Sequence, residues 1–116
     1  MNPQNHALLD ALNACVTIRE GCSASCQHEL DGSAGVRRAV LDRDTADLCA
    51  LTARFVARDS ASAPPLLALC ADVCRAYGSE AGAHNGFPAS HCQQCISAWQ
   101  RCEQACRAAL ASAQVA

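Results

Sequence analysis

The sequence predicts an all-α protein, an antiparallel up-down-up-down four-helix bundle, and three observations carry that prediction. Alanine, the strongest helix former, recurs through every long segment, while one Trp, one Tyr and two Phe make up the whole aromatic content. Ala, Leu, Val and Cys must therefore fill the core. Most of the ten cysteines fall in pairs three or four residues apart, the spacing that puts two side chains on one helical face. Clusters of turn-forming residues cut the chain into four segments, and 116 residues suffice for one buried core but not for two.

The first helix is expected over about 3–30, with Asn2 as its cap and Pro3 at its first position, where a missing N–H costs nothing. Asp31-Gly32-Ser33-Ala34-Gly35 reads as the break after it. The second helix is expected over about 36–58 and ends in Asp59-Ser60-Ala61-Ser62-Ala63. Pro64-Pro65 opens the third, over about 64–81, and residues 82–86 form the next loop. Pro88 starts the fourth, over about 88–113. Short connections imply antiparallel neighbours. The segments share no strict period, so a bundle is expected rather than a solenoid, as a single domain over 1–116.

All nine basic residues are Arg, and with eleven acids the formal charge is −2. A nucleic-acid binder would carry a basic excess or stripe. The Arg-rich stretch 37–58 is interleaved with Asp42, Asp44, Asp47 and Asp59 and reads as a solvated helix face. No run approaches the ~20 apolar residues that cross a bilayer, and the amino terminus lacks the signature of a secretory signal. The expectation is a cytoplasmic protein that engages neither nucleic acid nor membrane. In the cytosol thiols stay reduced, and dense cysteine there points to metal or catalysis rather than a disulfide framework. No catalytic triad, phosphate loop or nucleotide fingerprint is present, so no enzyme is expected.

The pairs are Cys22 and Cys26, Cys70 and Cys74, Cys92 and Cys95, and Cys102 and Cys106, with Cys15 and Cys49 alone. Helical neighbours at these spacings have Cβ atoms roughly 5–6 Å apart, whereas a disulfide wants about 3.5–4.5 Å. Two metal–sulfur bonds of about 2.3 Å span sulfurs up to ~4.6 Å apart, so a shared metal suits such a pair better than a bridge within the helix. At ~1.5 Å of rise per residue, alternating helices bring Cys22, Cys26, Cys92 and Cys95 to one end as an upper cluster. Cys15, Cys49, Cys70, Cys74 and Cys102 fall together further down, with Cys106 about a turn lower. All ten are candidate ligands. Cys49 and Cys106 are the weakest, since buried Cys also serves as a small apolar filler.

Soft thiolates with few hard ligands select Cu(I), zinc or iron–sulfur clusters. The iron–sulfur run of four closely spaced cysteines before a proline is absent, and helical spacings do not make zinc knuckles. Several Cu(I) ions are the first expectation and zinc the second. His84 and His91 are candidates to pass metal through the mouth of the bundle.

Three stretches resemble the cytosolic copper storage proteins: Ala46-Asp47-Leu48-Cys49-Ala50-Leu51, Leu69-Cys70-Ala71-Asp72-Val73-Cys74, and His91-Cys92-Gln93-Gln94-Cys95 followed by Cys102-Glu103-Gln104-Ala105-Cys106-Arg107. The resemblance implies a four-helix bundle whose core fills with Cu(I), often as a homotetramer. Outward Leu51, Phe55 and Val56 would suit such an interface. Where that family's rows tend to carry further cysteines this chain has Arg19, Thr45, Thr52, Tyr77, Ala81 and Trp99, implying reduced capacity. A buried Arg19 would need a partner. The alternative functions are zinc or another soft metal on the same fold, redox sensing through a thiol such as Cys92 beside His91, or a purely structural Cys/Ala core.

Overall fold

The computed structural model describes the backbone of residues 3–29, 32–82 and 89–115, and the side chains of residues 5–22, 37, 39–78 and 93–112. Four helices account for this backbone: α1 (Pro3–Glu29), α2 (Gly32–Ala57), α3 (Ala63–Gly82) and α4 (Ala89–Val115). The fold is the all-α bundle that composition and spacing predict. Helix α1 packs on α2 and α4, and α3 packs on the same two, so the four surround one axis. A helix of 27 residues is about 40 Å long, and the molecule measures 47 × 19 × 18 Å. The longest helices therefore run nearly its full length.

One expected break is corrected. Gly32-Ser33-Ala34-Gly35 belongs to α2. The first amides of any helix lack an intrahelical acceptor, so glycine there forfeits little, and no proline interrupts the stretch. Asn2, Leu30, Asp31 and residues 83–88 lie outside the described residues.

Between α2 and α3 the chain turns through Asp59, which has φ 51°. The Asp59 amide donates to the Val56 carbonyl at 3.1 Å and the Ser60 amide to the Phe55 carbonyl at 3.0 Å. These are the two crossing bonds of a left-handed helix C-cap, and aspartate is among the few side chains that tolerate that conformation. The Asn5 side-chain amide also donates to the Asp59 carboxylate at 3.2 Å, tying the start of α1 to this turn.

Leu8, Leu12, Val56 and Leu67 fill the core at this end, and Ala53, Ala63 and Ala71 line it with the cysteines. Val56, expected on an outward face, is buried, while Leu51 is 39% exposed. Thr45 and Thr52 are buried too. Each hydroxyl donates to its own helix, Thr45 to the Leu41 carbonyl at 2.8 Å and Thr52 to the Leu48 carbonyl at 2.7 Å, which satisfies the polar group without a partner across the bundle. On the outer α3–α4 seam Arg107 holds Glu103 at 2.8 Å and Asp72 at 3.2 Å.

On the α3–α4 interface Trp99 lies over Gly78. A Cβ at position 78 would collide with the Trp99 ring carbons. Gly78→Ala is therefore expected to lower stability, because overpacking costs about 1–3 kcal/mol against the roughly 1 kcal/mol that alanine gains in a helix. A lower urea midpoint checks this; an unchanged or higher one would show that the indole ring yields freely.

Candidate metal centre

Each helix brings one stripe to the axis. On α1 it is Cys15, Arg19 and Cys22; on α2, Asp42, Thr45, Cys49 and Thr52; on α3, Cys70 and Cys74; on α4, Cys95, Trp99, Cys102 and Cys106. Steps of three and four residues keep each set on one face. Cys15, Cys49, Cys70, Cys74, Cys102 and Cys106 are free thiols with no exposed surface.

Cys49, judged among the weakest candidates, is central. Its Sγ lies 3.6 Å from Cys70, 3.9 Å from Cys74 and 3.8 Å from Cys102. The ligand atoms of Cys15, Cys49, Cys74 and Cys102, one from each helix, all lie within 4.8 Å of one another, and so do those of Cys70, Cys102 and Cys106. The two groups share Cys102, so six thiols form one continuous patch. The Cys49 separations are too long for S–S bonds, near 2.03 Å. They lie inside the ~4.6 Å that two metal–thiolate bonds span. Both groups are sulfur only, a donor set that selects soft cations.

Hydrogen bonding within the patch separates the thiols. Cys102 is pushed well above the ordinary thiol range, first by its hydrogen bond with Cys106 and then by those with Cys15 and Cys49. It stays an S–H donor. Its donation is the leading cause that lowers Cys74, to about 5, and that holds Cys70 and Cys15 below their ordinary values. For Cys49 and Cys106 the same contact with Cys102 is outweighed, by Cys15, Cys70 and Cys74 around Cys49 and by Cys70 and burial at Cys106, and both are raised. The thiols of α1 and α3 are thus the readier to lose a proton.

Above this patch the expectation of four free thiols needs correcting. Cys22 and Cys95 are joined as a disulfide. The spacing argument excluded bridges within one helix, but α1 and α4 are neighbours and bring these two chains together. In that state neither sulfur is a thiolate ligand. The side chains of Cys26, Cys92, His28 and His91, and all of His84, lie outside the described residues.

Between patch and disulfide lies a polar layer. Arg19 is fully buried, and its Nη1 donates to Asp42 Oδ1 at 2.8 Å. Asp42 was expected on a solvated face. Its steps of three and seven residues to Thr45 and Cys49 place it on the buried stripe, and that signal was available in the sequence. Arg19 Nε and Nη2 have no hydrogen-bond partner, and neither has Trp99 Nε1.

The copper storage protein family model matches residues 1–111. The chain belongs to the copper storage protein family. This family member is 39% identical over 102 residues, 87% of each chain, to the uncharacterized cysteine-rich protein YhjQ of Bacillus subtilis strain 168. The Cu(I)-bound copper storage protein BsCsp3, from Bacillus subtilis, superposes with a TM-score of 0.76 at 34% identity, covering 90% of this chain and 96% of that one. A cytosolic copper storage protein from Streptomyces lividans, solved with five coppers, gives 0.81 at 30% identity, covering 93% and 95%.

Two outcomes test this geometry. Peptide mapping of non-reduced protein is expected to recover the Cys22 and Cys95 peptides linked, and their absence as a linked pair would contradict the bridge. Arg19→Ala, which takes the buried guanidinium from the buried Asp42 carboxylate, is expected to lower stability by up to about 3–5 kcal/mol. Chemical denaturation measures it, and a loss under about 1 kcal/mol, the scale of an exposed pair, would mean that water reaches the site.

Proposed function

We propose that this protein binds and stores Cu(I) in the cytoplasm, as a container rather than an enzyme. The observation that carries the reading is Cys49 Sγ, with three other thiol sulfurs at 3.6–3.9 Å in a fully buried, sulfur-only patch. Cys15, Cys49, Cys70, Cys74, Cys102 and Cys106 are the principal ligands. When reduced, Cys22 and Cys95 join Cys26 and Cys92 as a second set near the mouth, where His84 and His91 pass metal in and out. Family membership and the Cu(I)-bound relative support copper as the cargo. Exposed Val40, Leu51 and Leu69 suit an interface between copies, and a homotetramer is the assembly expected of a family member.

Anaerobic titration of fully reduced protein with Cu(I) against a chromogenic chelator, with metal and thiol counted on one sample, tests the reading. Several tightly held ions are expected, on the order of one per two thiols. Cys49→Ser should lose more of them than Cys106→Ser, because Cys49 has three sulfurs within 3.9 Å, one of them the Cys70 of the other group. At most one tight ion in the parent overturns storage.

One observation favours a second reading. The group Cys15, Cys49, Cys74 and Cys102 has the ligand count of a closed tetrahedral zinc site. Copper is preferred because a single zinc would leave Cys70 and Cys106, which continue the same patch, without a role. Zinc held at one ion per chain and not displaced by Cu(I) would reverse that preference.

A further inference from the structure

Arg19 is the one buried basic side chain among the described residues. Asp42 takes its Nη1, while Nε and Nη2, the two donors of its side-on fork, are unpartnered. That is the edge with which a guanidinium grips an anion in two parallel bonds. Buried donors left open are costly, and no described residue accepts from these two nitrogens. On α1 the side chain shares its face with Cys15, four residues before it, and Cys22, three residues after it. It therefore stands between the six-thiol patch and the mouth.

We propose that Arg19 is the counter-charge of the metal-loaded core, its open fork receiving the negative charge that Cu(I) uptake creates on thiolate sulfur. The inference rests on the copper reading above. Uptake by two thiols is Cu⁺ + 2 RSH → [Cu(SR)₂]⁻ + 2 H⁺, with no change of oxidation state. One positive charge enters, two protons leave, and the core gains one negative charge. Sharing thiolates between ions reduces that charge, yet any core with more thiolates than ions remains anionic. A buried anion needs a paired cation. Asp42 balances Arg19 and holds its Nη1, which leaves the Nε–Nη2 edge free to take a second anionic partner. Arginine suits this position better than lysine because it offers two donors in one plane while the third is held.

The test uses full-length, reduced, ¹⁵N-labelled protein under anaerobic conditions. Cu(I) is diamagnetic, so arginine Nε–H resonances can be followed as it is added from a chelator complex. The Arg19 signal is assigned by its loss in Arg19→Met/Asp42→Leu, which removes both charges together, and independently in Arg19→Lys. The Arg19 Nε–H is expected to move in step with metal uptake. The double variant should keep its helicity and hold its last ions about tenfold more weakly, the scale of a lost charged hydrogen bond. Arg19→Lys should recover part of that loss, which a merely structural role would not predict. A parent that fills while the Arg19 resonance stays fixed overturns the inference alone, as does a double variant that fills like the parent. A parent that takes no tight ion overturns the storage reading and this inference with it.

Discussion

Sulfur atoms from four helices can lie within 4.8 Å of one another only if nothing larger than a thiol reaches the axis at that depth. Much else in the molecule follows from that steric condition. Ala53 and Ala71 are buried among the cysteines because any longer side chain would hold the helices apart. The large apolar residues are displaced to the end, where Leu8, Leu12, Val56 and Leu67 close the bundle. A turn above the patch Gly78 meets the same demand differently, giving up its side chain so that Trp99 can lie across α3.

The Arg19–Asp42 pair sits awkwardly in such a core if stability is its only purpose. Buried ion pairs are often matched or bettered by apolar residues of the same volume, and this pair leaves two of the guanidinium's three nitrogens, Nε and Nη2, without acceptors. Thr45 and Thr52 show how the same helices bury polarity at low cost, by returning each hydroxyl to a carbonyl four residues back. The guanidinium has no such local escape. Its persistence in the waist between two sets of cysteines is more simply understood if the empty protein is not the state for which that charge is placed.

The bundle was legible because helix, like thiol stacking, is a local pattern: Cys70 and Cys74 lie on one face in any α-helix that contains them. Matching heights along alternating helices brought Cys15, Cys49, Cys74 and Cys102 to a common depth without coordinates. Two things were not legible, for different physical reasons. The centrality of Cys49 depends on its azimuth relative to three other helices, which spacing within α2 does not specify. The Cys22–Cys95 bridge depends on the separation of α1 and α4, and reasoning about pairs inside one helix says nothing of it. Asp42 is a separate case. Its register with Thr45 and Cys49 was present in the sequence, but neighbouring charges drew it into a solvated face, and only the buried arginine opposite shows why that grouping fails.

The ionisation pattern of the patch bears on how such a core could accept its first ion. Six neutral thiols would present no charge to a cation and six thiolates could not be buried together. Hydrogen bonding makes the six unequal. Cys102 remains a donor, and the thiols it serves on α1 and α3 are lowered by its hydrogen bonds first. Cys49 and Cys106 are raised and give up their protons only when a metal replaces them. Binding at each pair of thiols releases protons and so gains from rising pH, most of all where the thiols are raised. The hydrogen bonds that make the empty core affordable also set an order in which its sulfurs become available.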